Sequence, residues 1–334
     1  MMMPDFVEAE ELVRDALVWD NHACLPLRPG DHNFFAQLRD VGAAGVDVIS
    51  VNVGFGPVPL AQHEAMIAGL TGWMESAGDF CRLVRTVADI EAARAEGKLA
   101  VFFDVEGMAP LDQGGEALIE PWRKAGVGWM LVAYNAANRA GSGCTEETDE
   151  GLTDHGKRIL AEMRRVGMIA CCSHTGHRTA MEVMEQADAP VIFSHSNPAA
   201  VFAHYRNIPD DLVRACAETG GVVGINGIGS FLGDGPASVA RFVDHIEHVA
   251  SLVGTDHVGL GLDYVFDKQE LVDYLTGMPE IFPDAASLEN ATSMIGPKQI
   301  GAIAAELLGR GAEPGAVRKI LGENWLRVAR AVWR

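Results

Sequence analysis

The chain has 334 residues, of which 48% are hydrophobic and 22% charged, as in a folded protein with room for two domains or one α/β barrel. Its net charge of −20 argues against nucleic acid and anionic membrane surfaces as partners. No apolar run approaches the ~18 residues that span a bilayer. The first residues lack the basic segment and apolar run of an export signal, and six cysteines without regular spacing suit a reducing, cytoplasmic setting.

Short apolar runs alternate with helical stretches. Residues 16–23 are the first expected strand, followed by a short helix from Phe34 to Val41. Residues 46–54 are the second, followed by a long helical region through Ala95. Residues 99–107 are the third and 128–135 the fourth, with a helical stretch over 115–126 between them. A polar, Gly-containing loop (138–150) and a helix over 151–167 come next. MIACC (168–172) and APVIF (189–193) are the fifth and sixth strands. Between them Ala180, Val183, Met184 and Ala187 are spaced for one buried helix face. Residues 220–228 and 257–265 complete the set of eight.

Helix signals mark the junctions. Pro209 with Asp210 and Asp211 opens a helix carrying Leu212, Cys216 and Thr219, which Gly220 stops. Val243, Ile246, Val249, Ala250 and Val253 form the stripe of the helix before the eighth strand. The amphipathic stretches 295–311 and 314–333 look structural.

Eight nearly continuous apolar strands alternating with helices specify a parallel sheet buried on both faces. The count fits closure into an α/β (β/α)8 TIM barrel, and an open doubly wound sheet is the alternative. No linker or composition break interrupts the chain. The expectation is therefore one domain over 1–334, with extra helices (about 297–334) packed outside the barrel.

In such a barrel the chemistry collects at the C-terminal strand ends. Strand one ends Asp20-Asn21-His22-Ala23-Cys24, where alternation puts Asp20, His22 and Cys24 on one side. Strand three ends Asp104-Val105-Glu106, strands five and six end in His174 and His195, and strand eight ends in Asp263. Adjacent parallel strand ends lie ~4.8 Å apart, so two imidazoles there can share one ion at about 2.0–2.1 Å. The bland reading of these two histidines is burial with bonds to backbone. Imidazole and thiolate suit zinc, and a carboxylate can bridge two ions. His32, His63, His155, His177, His204, His245, His248 and His257 sit mostly in helices or loops and read as surface or capping residues. The glycines in GINGIGSFLGDG do not place a nucleotide fingerprint convincingly.

With these residues in view, the chain resembles the membrane dipeptidase (renal dipeptidase, peptidase M19) family of metal-dependent amidohydrolases. The resemblance covers most of the chain. It is carried by GLTDHGKRILAEMRRVGM with SHTG, by APVIFSHS, by RNIPDDLVRACAETGGVVGIN, by DHIEHVASLVGTDHVGLGLD and by ILGENWLRV. It implies a (β/α)8 barrel with two zinc ions bridged by a carboxylate, and makes a homodimer plausible. His22 matches the first-strand ligand, Glu106 the bridging carboxylate, and His174 and His195 the ligands of the second ion. Asp263 matches the catalytic aspartate, and Arg206 an arginine that holds the substrate carboxylate. The implied reaction is attack of a metal-activated hydroxide on a small amide, with Asp263 moving the proton.

Three departures bear on function. The family's first strand carries His-x-Asp, whereas here it is His22-Ala23-Cys24. The Cys24 thiolate either replaces the carboxylate as a ligand, at about 2.3 Å from zinc, or is an inert small hydrophobe, leaving one ion. Tyr134 stands where the family has a substrate-binding histidine, and Cys171 where it usually has aspartate. The leading expectation is a zinc-dependent dipeptidase-like hydrolase. The alternatives are a one-metal amidohydrolase or lactonase-type enzyme, and a non-catalytic barrel that binds a small metabolite or a partner subunit.

Overall fold

Eight parallel strands form a ring: β1 (Trp19–Cys24), β2 (Val48–Phe55), β3 (Leu99–Glu106), β4 (Val127–Leu131), β5 (Ile169–Cys171), β6 (Val191–Ile192), β7 (Val223–Ile225) and β8 (Val258–Leu260). The computed structural model describes residues 6–76, 78–283 and 288–334. Hydrogen bonding runs in the order β6–β5–β4–β3–β2–β1–β8–β7. A parallel bridge between Phe193 and Val223 joins the two ends, so the ring closes as the (β/α)8 barrel expected from the strand count.

Alternation along the strands creates two apolar cores. One lies between strands and helices and includes Val51, Val101, Val105, Met130, Cys172 and Phe193. The other fills the barrel and includes Trp19, Phe102, Trp129, Cys171 and Ile192. Adjacent Cys171 and Cys172 thus face opposite sides, as a strand requires. The helix Asn324–Val332 lies across the N-terminal floor and adds Trp325 and Val328 to the inner core. Trp325 Nε1 donates to Leu260 O at 3.0 Å, and Trp333 Nε1 to Gly128 O at 3.2 Å. With the floor sealed, the opposite rim is the open one.

Helix starts and stops follow local chemistry. Thr153 caps Asp154–Val166 by accepting from Gly156 N, and Gly167 ends it at φ 76°. In His177–Glu185 the buried residues are Thr179, Ala180, Val183 and Met184, close to the expected face.

Three expectations need correction. The region between β2 and β3 is not continuously helical. Helix Leu60–Ser76 ends, a strand at Cys81–Leu83 pairs with β3, and a second helix runs Val87–Ala95. Thr86 and Asp89 form a reciprocal cap that starts this second helix afresh. The helix expected over 34–41 is two short pieces, His32–Phe35 and Leu38–Ala43. His63 and His245 are fully buried rather than superficial. Their rings bond to the Pro59 and Leu232 carbonyls, which makes burial of a neutral imidazole tolerable.

Candidate metal centre and active site

His22, Cys24, Glu106, His174, His195 and Asp263 converge at the C-terminal rim, each at or just past a strand end, while Arg206 comes from the loop after β6. Glu106 Oε1 is the hub. It lies 3.5 Å from His22 Nε2, 3.5 Å from His174 Nε2 and 3.2 Å from His195 Nε2. His22 Nε2 is also 3.4 Å from Cys24 Sγ and 3.4 Å from Asp263 Oδ1. The rings of His22 and His195 stack at 4.1 Å between centroids.

Simple alternation does not produce this convergence. In β1 the pairing with β2 shifts register between Asp20 and Ala23. Trp19 packs in the inner core while His22 lies against Trp129 of the same core, at 5.5 Å between rings. Residues three apart share a face only because the strand is irregular there. Among the described residues, the non-glycine positions with positive φ are Asn135 (55°), His174 (62°) and Asp263 (55°). All three lie just past barrel strands and all three line one cavity. Left-handed backbone at non-glycine residues is costly, and its concentration here is a mark of a functional site.

Each imidazole is oriented through its other nitrogen. His174 Nδ1 lies 2.7 Å from Asn135 Oδ1, and Asn135 Nδ2 donates to Ile281 O at 2.9 Å, so the Asn135 oxygen faces His174 and accepts its proton. His195 Nδ1 lies 2.8 Å from Ser194 Oγ, whose hydroxyl reaches Ser173 Oγ at 3.4 Å. We therefore assign the His195 proton to Nδ1. His22 Nδ1 faces Asp104 Oδ2 at 3.3 Å, and Asp104 accepts further bonds from Ser50 Oγ at 2.5 Å and Asn52 Nδ2 at 3.0 Å. All three Nε2 atoms are thus turned toward Glu106.

Burial, with help from the Arg206 and His22 charges, holds His174 and His195 well below the usual imidazole value, so both are neutral ligands-in-waiting. Burial opposes charge on His22 too, but Glu106 and Asp104 outweigh it and hold its pKa well above the usual value. Burial pushes Glu106 up to about 8 against the pull of His22. Burial also opposes the Asp263 charge, but the imidazoles of His195 and His22 hold that carboxyl well below its usual range. Burial pushes up both the Cys24 thiol and the Tyr134 phenol.

This donor set fits a metal. Glu106 Oε1 is buried and has no hydrogen-bond partner. The lone pairs of His174 and His195 face it and each other, with their Nε2 atoms 2.8 Å apart. An oxygen and two nitrogens without protons between them are an unfavourable buried arrangement unless a cation joins them. Ligand atoms of His22, Glu106 and His195, and again of His22, Cys24 and Asp263, all lie within 4.8 Å of one another. The Cys24 Sγ to His22 Nε2 distance of 3.4 Å is close to the ~3.5 Å between a sulfur and a nitrogen on one tetrahedral zinc.

Arg206 is buried and lines the same cavity. Its Nη2 donates to His195 O at 3.4 Å, and its guanidinium lies 5.4 Å from the Phe231 ring centre. The Tyr134 ring stacks on His174 at 4.1 Å. Sequence reasoning gave no role to Asp104, Asn135, Ser194 or Asn226. Asn226 Nδ2 donates to Asp263 Oδ2 at 2.8 Å and fixes that carboxylate. Asp104 carried a usable signal, standing two residues before Glu106 and so on the same strand face.

Comparison with known proteins identifies the chain's relatives. The profile of the family described as membrane dipeptidase (peptidase family M19) matches residues 67–281. An uncharacterized dipeptidase of Schizosaccharomyces pombe is 34% identical over 182 residues, covering 52% of this chain and 44% of that protein. The dipeptidase tcpJ of Claviceps purpurea is 30% identical over 263 residues, covering 78% of this chain and 57% of that protein. The chain thus spans about half the length of these two curated relatives. A solved structure of an amidohydrolase from Pseudomonas aeruginosa superposes with a TM-score of 0.86 at 28% identity, covering 97% of this chain and 99% of that one.

Proposed function

The chain belongs to the membrane dipeptidase family, and from that premise we propose that it is a zinc-dependent hydrolase of a dipeptide or related small amide bearing a free carboxylate. The observation that carries the reading is the partnerless Glu106 Oε1 among three imidazole nitrogens, in one cavity with a buried arginine.

His22, Cys24 and Glu106 would hold one ion, and Glu106, His174 and His195 a second, with Glu106 between them. When bound there, zinc supplies Lewis acidity toward the amide carbonyl and lowers the pKa of water toward neutrality. Arg206 pairs with the substrate carboxylate and fixes the amide against the cluster. Asp263, ionised and anchored through Oδ2 by Asn226, keeps Oδ1 toward the cluster and moves the proton from water to the leaving amine. Tyr134, a phenol at neutral pH, serves as a hydrogen-bond donor to the substrate. A ligand role for the Cys24 thiol fits a reducing compartment. No helix among the described residues is long and apolar enough to cross a membrane.

The test is hydrolysis of dipeptides and acyl amino acids before and after chelation. Activity is expected to disappear on chelation and return with zinc. Arg206→Met is expected to raise KM at least tenfold more than it lowers kcat, because it removes binding common to ground and transition states. No turnover of any amide at full zinc occupancy would contradict the reading.

A further inference from the structure

We propose that the two halves of the metal centre are unlike sites. The half bearing Cys24 fills first and selects a thiophilic divalent ion. The half built on His174 and His195 fills second and accepts borderline ions such as cobalt or nickel. The inference rests on the paired arrangement proposed above and concerns which ion each half takes.

The halves differ first in donor chemistry. Cys24 Sγ lies 3.4 Å from His22 Nε2, and Asp263 Oδ1 lies 3.6 Å from that sulfur and 3.4 Å from that nitrogen. The other half offers two imidazole nitrogens 2.8 Å apart. Two further cysteines stand behind it. Cys144 Sγ donates to Asn135 Oδ1 at 3.4 Å, and Cys171 Sγ donates to Ser194 Oγ at 3.1 Å. Both thiols thus touch the groups that orient His174 and His195 and supply no donor to the ion. Glu106 Oε1 is common to the two halves. Thiolate selects soft ions, whereas imidazole suits zinc, iron, copper and nickel alike.

The halves differ also in charge. His22 Nδ1 rests against the Asp104 carboxylate at 3.3 Å. His174 Nδ1 rests against the Asn135 amide oxygen at 2.7 Å, and His195 Nδ1 against the Ser194 hydroxyl at 2.8 Å, both neutral groups. The Arg206 cation donates from Nη2 to the His195 carbonyl at 3.4 Å. The Cys24 thiolate, Asp104 and Asp263 therefore bring negative charge to the first ion in addition to Glu106, while the second ion has neutral supports and a guanidinium close by. In a buried setting these charges are weakly screened, so a dication gains more from the first half. As the ion binds there, the Cys24 thiol gives its proton to solvent and a sulfur–metal bond takes its place.

The test titrates the metal-free full chain with cobalt, following the near-ultraviolet thiolate-to-cobalt band beside the visible d–d bands. A tenfold affinity difference divides the first equivalent about 3 to 1, so the thiolate band is expected to reach at least about three-quarters of its final height at one equivalent. One equivalent of cadmium, added to the protein holding two cobalt ions, is expected to remove most of the thiolate band while the d–d absorption falls by about half. Desalting should then leave about one ion of each metal per chain. Cys24→Asp keeps a donor without the sulfur, and is expected to lower the preference for cadmium over cobalt at least tenfold in the same competition. A thiolate band that grows in proportion to bound cobalt, or cadmium that depletes both absorptions equally, overturns the inference and leaves the hydrolase reading intact. Two bound cobalt ions without a thiolate band do the same. Fewer than two cobalt ions at saturation overturns the inference together with the paired arrangement. Failure of the zinc-loaded chain to cleave any amide overturns the hydrolase reading alone, whatever the order of filling.

Discussion

The Nε2 atoms of His174 and His195 lie 2.8 Å apart, both turned toward Glu106 Oε1. Neither nitrogen carries a proton for the other, because Asn135 and Ser194 engage the opposite ring nitrogens. Neighbouring parallel strands bring the residues near each other. The left-handed backbone at His174 then turns its ring inward. The cost of that backbone and of the facing lone pairs is offset when a cation binds between them.

The support beneath His22 is the first place to test this. Asp104→Asn exchanges an acceptor for an amide that cannot both accept from His22 Nδ1 and keep the bonds from Ser50 and Asn52. Zinc affinity is expected to fall about 10- to 100-fold, measured by competition with a chromophoric chelator. An unchanged affinity would remove Asp104 from the site.

Asp263 carries the proton-transfer role. Asp263→Asn is expected to lower kcat about 10²- to 10⁴-fold while zinc content stays at the wild-type level. Loss of zinc in parallel with activity would make Asp263 a ligand instead of a base.

The barrel and five of its rim residues were legible because strands, helix stripes and strand-end chemistry are local features. Each of His22, Glu106, His174, His195 and Asp263 closes an apolar run, and the structure gathers all five. The supporting residues were harder. Asn135 and Asn226 act through backbone turns that periodicity does not encode, and the φ of 55° at Asn135 has no signature in a run reading VAYN. The short strand at Cys81–Leu83 was hidden because three residues are too few to set a period against flanking helices. His63 and His245 were misjudged because burial of a neutral histidine depends on a carbonyl brought near by folding.

Zinc uptake is coupled to protons. Without metal, burial holds Glu106 up to about 8, and His22 sits well above the usual imidazole value. The His22–Glu106 pair therefore keeps at least one proton at pH 7, which must leave before both groups act as ligands. Zinc binding is expected to release at least one proton per chain at pH 7, and affinity to rise with pH through about 8. Calorimetry in buffers of different ionisation enthalpy measures the release, and none at pH 7 would contradict the assignment.

Cys24 decides the character of the first ion. With cobalt in place of zinc, a near-ultraviolet thiolate-to-metal band is expected, because a coordinating thiol deprotonates. Cys24→Ser should abolish the band while the His174 and His195 site stays loaded. A wild-type cobalt protein without the band would leave Cys24 outside the coordination sphere.

The most direct test of the whole account is zinc per chain, by plasma emission spectrometry, on full-length protein purified without chelator and dialysed after zinc loading. A value near two is predicted, one ion on each side of Glu106. A value of one or below would contradict the paired arrangement.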